Sequence, residues 1–212
     1  MNKSAKFWDN ASKNYDQTEE RFEHIHSKTR ENTEKYLNVS DIVLDYGCGT
    51  GTKSCELAHL VKEIHAIDIS SKMIELAKEK ALMHKVENVN FEQTTIFDEK
   101  YKKESFDVIL AFNMLHTVPD LQDVMQRIHE LLKPGGLLIS VTPSFREKTS
   151  FLVSIGMYIF HILSKIGIIP IFIKRYRSAD LDDLMKNGNF QIIETEKIYK
   201  GASSYFIAAK KS

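Results

Sequence analysis

The sequence predicts an α/β fold: a doubly wound sheet of seven strands, mostly parallel with an antiparallel last strand, preceded by a helical cap and interrupted after strand five by an apolar helical insert. Three observations carry this expectation. Between residues 41 and 142 short apolar runs alternate with stretches of helical periodicity, the pattern of parallel strands covered on both faces by helices. The first run passes at once into a glycine-rich turn, Gly47-Cys48-Gly49-Thr50-Gly51. Two runs near the end are joined by residues 201–204 alone, a link short enough for an antiparallel pair.

Composition bounds the rest. The 212 residues carry 29 basic and 29 acidic side chains, 42% hydrophobic residues and four prolines, with no repeat, linker or low-complexity tract, which fits one domain over 1–212. A chain of this length buries roughly 70% of its unfolded surface, so no disulfide or metal staple is required. Cys48 and Cys55 have no second pair to complete a zinc set; they read as reduced thiols, and no metal is expected. Zero net charge argues against a nucleic-acid partner. The opening MNKSAKFWDN lacks the apolar core of a signal peptide, so the cytoplasm is the expected compartment.

The elements follow in order. Residues 1–38 are polar, carry Phe7, Trp8, Tyr15, Phe22 and Tyr36, and hold no glycine or proline, which suits a helical cap. The run 42–44 is a buried strand ending in Asp45, 52–62 a helix, and 64–69 a second strand closing on Asp68, together the length of one strand–helix–strand unit. Ser70 and Ser71 can cap a helix in which Met73, Ile74, Ala77, Ala81 and Leu82 recur at helical spacing up to His84. Strands at 89–94 and 106–112, a helix over 120–132, and a strand at 137–141 opened by Pro134-Gly135-Gly136 complete a core over 41–142. Residues 144–177 form the apolar insert. The segment 178–212 holds a helix stopped by a left-handed cap at Asn187-Gly188, then strands at 190–195 and 205–209.

The chemistry centres on the glycine turn. Glycines let the backbone turn sharply and bring a ligand against bare peptide groups, and the following helix offers free amides to an anion. Asp68 ends the next strand about 20 residues on, where a carboxylate accepts both hydroxyls of a ribose, so a nucleotide-like ligand is expected. A dinucleotide fingerprint places a third glycine where this chain has Thr52. The spacing here is G-x-G-x-G, with Asp45 two residues ahead.

That motif resembles the first motif of class I S-adenosylmethionine-dependent methyltransferases of the small-molecule, type 11-like kind, and the resemblance extends over 41–142. Ala66-Ile67-Asp68-Ile69-Ser70 is similar to the family's ribose-holding strand end, Ser105-Phe106-Asp107-Val108-Ile109 to its fourth strand, Asn113-Met114-Leu115-His116-Thr117-Val118-Pro119-Asp120 to the loop after it, and Leu131-Leu132-Lys133-Pro134-Gly135-Gly136 to the turn before its fifth strand. Phe7-Trp8-Asp9, Ala11 and Tyr15-Asp16 resemble a cap folded over the cofactor, though Trp8 and Tyr15, seven apart, also fit one buried helix face. The resemblance implies a Rossmann-like sheet and S-adenosyl-L-methionine as cofactor, with S-adenosyl-L-homocysteine as product. It implies contacts from Asp45, Gly47, Cys48, Gly49, Gly51, Asp68, Ile69, Met73, Asn113 and Tyr15. Where the family commonly holds an acidic residue for the adenine amino group this chain has Thr95, with Ile96 beside it and Asp98 three residues on; Thr95 and the amide of Ile96 are the candidates.

The implied reaction is direct displacement of a methyl group, which asks mainly for positioning and needs no protein nucleophile. An oxygen or carbon acceptor also wants a base; His116, in the loop at a strand's carboxyl end, Tyr15 and His161 are the acceptor-side candidates. In the insert, Ser154, Tyr158, His161 and Lys165 make a polar stripe and Leu152, Ile155, Ile159, Ile162 and Ile166 an opposite apolar one. That pattern fits a core or lid helix, the wall of an apolar acceptor pocket, or a helix pressed on a membrane through 151–177, which would associate the protein peripherally with a bilayer. The expected activity is methyl transfer to a small hydrophobic or amphipathic acceptor by a monomer or homodimer. The alternatives are a nicotinamide (NAD)-dependent oxidoreductase, or a non-catalytic cofactor-binding or membrane-adapter protein on the same fold.

Overall fold

The computed structural model describes residues 3–144, 151–166, 168–200 and 202–212. Strands β1 (Ile42–Tyr46), β2 (Glu63–Asp68), β3 (Val89–Gln93), β4 (Phe106–Phe112), β5 (Leu132–Pro143), β6 (Phe190–Lys200) and β7 (Ala202–Lys211) form one sheet in the order β3-β2-β1-β4-β5-β7-β6. The first five pair in parallel, and β7 alone runs against its two neighbours. The chain therefore leaves β1 in one direction, to β2 and β3, and returns to the other side of it at β4. The crevice where the order reverses lies at the carboxyl ends of β1 and β4, the place where open α/β sheets bind ligands.

Eight helices accompany the sheet among the described residues: α1 (Lys3–Ala11), α2 (Tyr15–Glu19), α3 (Glu23–Glu34), α4 (Thr52–Leu57), α5 (Ser71–His84), α6 (Leu121–Leu131), α7 (Phe151–Lys165) and α8 (Ser178–Asn187). Alternation along the strands splits the core in two. Val43, Ile64, Ala66, Val108 and Leu110 pack with Ile25 of α3, Leu57 of α4 and Ile74 and Ala77 of α5. Leu44, Ile67, Ile109 and Ala111 pack on the other face with Val124 and Ile128 of α6 and Leu181 and Met185 of α8. Both sheet faces are thus dry, which is why the strands read as near-continuous apolar runs.

Several local expectations change. β5 starts at Leu132, so Pro134-Gly135-Gly136 lies within the strand, with a register shift against β4 and Gly135 at φ +76°. The helix after the glycine turn ends at Leu57 and tightens into a single 3-10 turn over Ala58–Leu60. The left-handed residue after α8 is Asn189 (φ 60°); Gly188 sits at φ −83°. Ser70 is the cap of α5, its hydroxyl accepting from the Met73 amide at 3.1 Å. β6 and β7 pair out to Lys200 against Ala202, and Gly201, placed by the sequence in their connection, lies outside the described residues.

Candidate functional site

The turn after β1 is built by its glycines. Gly47, Gly49 and Gly51 all have positive φ, of 79°, 54° and 74°. The amides of Gly47 and Cys48 donate to the Ile67 carbonyl at 2.8 and 3.0 Å, tying the turn to β2. Asp68, at the end of β2, closes it: one carboxylate oxygen accepts from the Gly49 amide at 3.1 Å and the other from the Ser70 amide at 2.8 Å. Burial raises the Asp68 pKa against those hydrogen bonds, which favour the anion. Each oxygen keeps a lone pair for a further donor.

Two cavities flank this turn, of about 450 and about 340 Å³. Tyr15, Gly47, Phe112 and Asn113 belong to the walls of both. The larger is also lined by Gly49, Asp68, Ile69, Met73 and Thr95, and by the apolar or aromatic groups Trp8, Tyr46, Phe97, Met114, Val118, Pro170 and Phe172. The smaller has Asp45, Cys48, Glu19, Glu23, His26 and Lys80 in its wall. Tyr15 stands over the turn, its ring 3.5 Å from where a Cβ on Gly49 would lie, and burial beside Glu19, Asp68 and Asp16 drives its phenol pKa upward, so it stays protonated. Asn113, held at φ 54°, has a buried side-chain oxygen without a hydrogen-bond partner among the described residues. Leaving such a group unmade costs free energy, and a ligand that donates to it recovers that cost.

Asp45 lies beneath the turn, 2% exposed, accepting from the Ser54 hydroxyl at 2.5 Å; burial raises its pKa to about 6. The Cys48 thiol, buried beside Asp45 and Asp68, has its pKa pushed well up and remains a thiol.

Four of the expected site residues stand elsewhere. Gly51 reaches neither cavity; a Cβ there would come within 2.7 Å of Phe91 and 2.8 Å of Ala77, so this glycine lets β3 and α5 close on the turn. The Ile96 side chain is in the core, fully buried, and its carbonyl accepts from Arg127 Nε at 3.1 Å. His116 is interior as well, 8% exposed and in neither wall; burial lowers its pKa to about 4, so it is neutral and shut away from any acceptor. His161 faces a shallow hollow between α7 and the segment after it, its Nδ1 3.0 Å from the Ile173 carbonyl.

The insert departs furthest from expectation. Ile155, Ile159, Ile162 and Ile166, which the lid and pocket-wall readings would turn toward the site, point into solvent, as only the membrane-facing reading has them. Pro170 and Phe172, from the irregular segment after α7, reach the larger cavity instead. The side chains of Leu152 and Ser154, which the two stripes also included, lie outside the described residues.

Sequence reasoning also missed the fastening of the cap. Asp16 accepts from the Thr50 hydroxyl at 2.6 Å and from Lys80 Nζ at 3.0 Å, so α2, the glycine turn and α5 meet at one carboxylate. Asp9 accepts from the Ser70 hydroxyl at 2.7 Å and the Lys72 amide at 3.2 Å, joining α1 to the start of α5. These partners are more than 30 residues apart, and no local pattern announces them.

Residues 37–169 match the family model described as a methyltransferase domain. Over 132 residues the chain is 36% identical to a ubiquinone biosynthesis O-methyltransferase of Haemophilus ducreyi, a match covering 58% of this chain and 54% of that relative. The chain thus spans about half the length of that relative. A demethylmenaquinone methyltransferase of Lactococcus lactis is 27% identical over 183 residues, covering 79% of this chain and 73% of the relative. The solved structure of a SAM-dependent methyltransferase from Methanosarcina mazei superposes with a TM-score of 0.66 at 21% identity, over 84% of this chain and 96% of that one, a likeness of fold.

Proposed function

Because the chain belongs to the methyltransferase domain family, on the class I S-adenosylmethionine-dependent fold, we propose that it transfers a methyl group from S-adenosylmethionine to a small apolar or amphipathic acceptor, a ring bearing an alkyl or prenyl tail. Family membership overturns the nicotinamide alternative, in keeping with Thr52 in place of the third dinucleotide glycine.

The observation that carries the reading is the make-up of the larger cavity. Its wall combines Asp68 and the glycine turn with the apolar side chains Met114, Val118, Pro170 and Phe172. A site of about 450 Å³ with a few convergent polar groups in an apolar wall is of ligand-binding type. The residues suit the cofactor: the Asp68 carboxylate would accept from a ribose diol, Ile69 and Met73 line the same cavity, Thr95 would offer a hydroxyl to an adenine edge, and the Asn113 oxygen would take a donor. When bound, S-adenosylmethionine supplies a methyl group on a sulfonium, open to direct displacement by an acceptor atom.

The chain's own part is to bind, align and exclude water. Holding donor and acceptor within roughly 3 to 3.5 Å replaces an encounter in solution and supplies much of the rate. Trp8 and Tyr15 cover the crevice from the cap. Among the described residues no histidine lines the larger cavity, so an acceptor that gives up its proton easily, a phenol or enol, suits it better than an aliphatic alcohol. The two curated relatives are named for ubiquinone and menaquinone chemistry, and a demethylated quinol is the first acceptor to try.

The test combines calorimetry and turnover. S-adenosylmethionine and S-adenosylhomocysteine should bind and NAD should not. Among quinols of increasing tail length, kcat/KM should rise by up to about fourfold per methylene until the pocket is full, the equivalent of about 0.8 kcal/mol. Tight NAD binding, or tailless polar analogues turned over as well as tailed ones, would sink the proposal.

A further inference from the structure

Among the described residues nothing covers the isoleucines of α7. Ile155, Ile159, Ile162 and Ile166 are between 39% and 63% exposed, and Ile168 and Phe172 carry the patch beyond the helix at 66% and 40%. A Cβ added at Gly156, within the stripe, would meet nothing within 4 Å. The inner side of the helix sets Phe160 edge-on to Phe7 of α1, ring centroids 6.5 Å apart, and makes two polar contacts: His161 faces the Ile173 carbonyl and the Ser164 hydroxyl donates to the Ile171 carbonyl. A contiguous apolar patch on an otherwise polar surface marks a contact.

Charge identifies the kind of contact. From residue 155 to residue 179 the sequence holds four basic residues, Lys165, Lys174, Arg175 and Arg177, and no acidic one, in a chain whose total charge is zero. Lys165, Lys174 and Arg177 are exposed, and the Arg175 guanidinium lies 5.9 Å from the centroid of the Tyr158 ring on α7. An isoleucine face on a segment that carries cations and no carboxylate of its own complements a bilayer with anionic headgroups, the cations meeting phosphates while the isoleucines enter the acyl boundary. A second copy of the chain suits it less, because a two-fold pairing would set these cations against one another. At 15 residues α7 is about 22 Å long, short of the roughly 30 Å hydrocarbon core, and no described helix is long and apolar enough to cross a membrane.

We propose that the outer face of α7, with the segment 168–177, docks the protein flat on an anionic lipid bilayer. Phe172 belongs both to this face and to the wall of the larger cavity. Docking therefore sets the cavity beside the lipid, and a tailed acceptor can pass between them with little exposure to water. This last consequence rests on the acceptor class proposed above; the docking itself stands on the surface alone.

Co-sedimentation of the full chain with vesicles of phosphatidylcholine, with and without phosphatidylglycerol, is the test. Binding should require phosphatidylglycerol and weaken with added salt. Ile159→Asp combined with Ile162→Asp should lower the partition coefficient by roughly tenfold or more. Lys165→Glu combined with Lys174→Glu should lower it by at least about fivefold for each cation removed. Calorimetric titration with S-adenosylhomocysteine should be unchanged in both variants, which shows an intact fold and keeps a failure of docking separate from a failure of the proposed activity. No vesicle binding by the native chain, or equal binding by native chain and variants, would overturn docking. So would self-association in sedimentation velocity that Ile159→Asp abolishes while vesicles are ignored; the face would then bind a second copy.

Discussion

Single carboxylates carry the sharpest expectations. Asp68→Ala removes a charged acceptor from the proposed cofactor site, and since hydrogen bonds to charged groups contribute about 1.5 to 3 kcal/mol, calorimetry should show cofactor affinity reduced by roughly tenfold to a hundredfold. Unaltered affinity would mean that Asp68 only braces the turn. Asp45 and His116 make a pair of opposite sign. The Asp45 pKa rises from an ordinary 3.8 to about 6 on folding, so it favours the fold most at low pH, and that contribution is lost as pH rises from 3.8 to about 6. The His116 pKa falls from 6.5 to about 4, so its contribution is complete above pH 6.5 and is lost as pH falls towards 4. Each is of order 3 kcal/mol, and they offset one another. Denaturant melts between pH 4 and 6.5 should show native stability changing little from these two groups, Asp45→Asn leaving a protein that weakens towards acid, and His116→Gln one that weakens from pH 4 to 6. The Asp68 position was legible because a glycine turn followed by a strand-end acid is a one-dimensional pattern. His116 was not, because nothing in a loop sequence tells which side chain turns inward.

Among the elements, the N-terminal helices differ from the sheet in what holds them. The strands share two continuous apolar cores, whereas α1 and α2 are fastened to the cofactor crevice through Asp9 and Asp16. A cap held by a few polar bonds opens at low cost, so it can admit a ligand without disturbing the sheet. Asp16→Ala should speed cofactor release by roughly three- to tenfold in stopped-flow measurements, a modest change because the side chain is half exposed, while denaturant stability of the sheet stays near native. An unchanged release rate would show that the cap is not what the cofactor must displace. The strands were readable as elements because burial on both faces writes apolar runs into the sequence. The outward turn of α7 was not: periodicity separates two faces of a helix without saying which one the rest of the protein covers.

At the scale of the whole molecule, five parallel strands and the antiparallel β7 place the crevice at the switch between β1 and β4. Binding there joins the cap to both halves of the sheet, so saturating S-adenosylhomocysteine should raise the melting temperature cooperatively: at a hundred times Kd the native state gains about 2.7 kcal/mol, and a shift of several degrees should appear in a calorimetric scan. NAD at the same concentration should leave it unmoved. The order of strands also has a consequence in time. β7 lies between β5 and β6, yet it is the last of the seven to be synthesised. From the end of β5 at residue 143 to the end of β7 at residue 211 the ribosome adds 68 residues, roughly 3 to 14 seconds at cellular rates. Throughout that interval the row of amides and carbonyls along β5 has no partner, and the apolar side chains of 137–141 are open on that side. The nascent chain must be kept from pairing with its neighbours on the polysome, so slower translation of the codons for residues 143–211, or loss of a chaperone that shields strand edges, should lower the soluble yield before it alters any property of the finished protein.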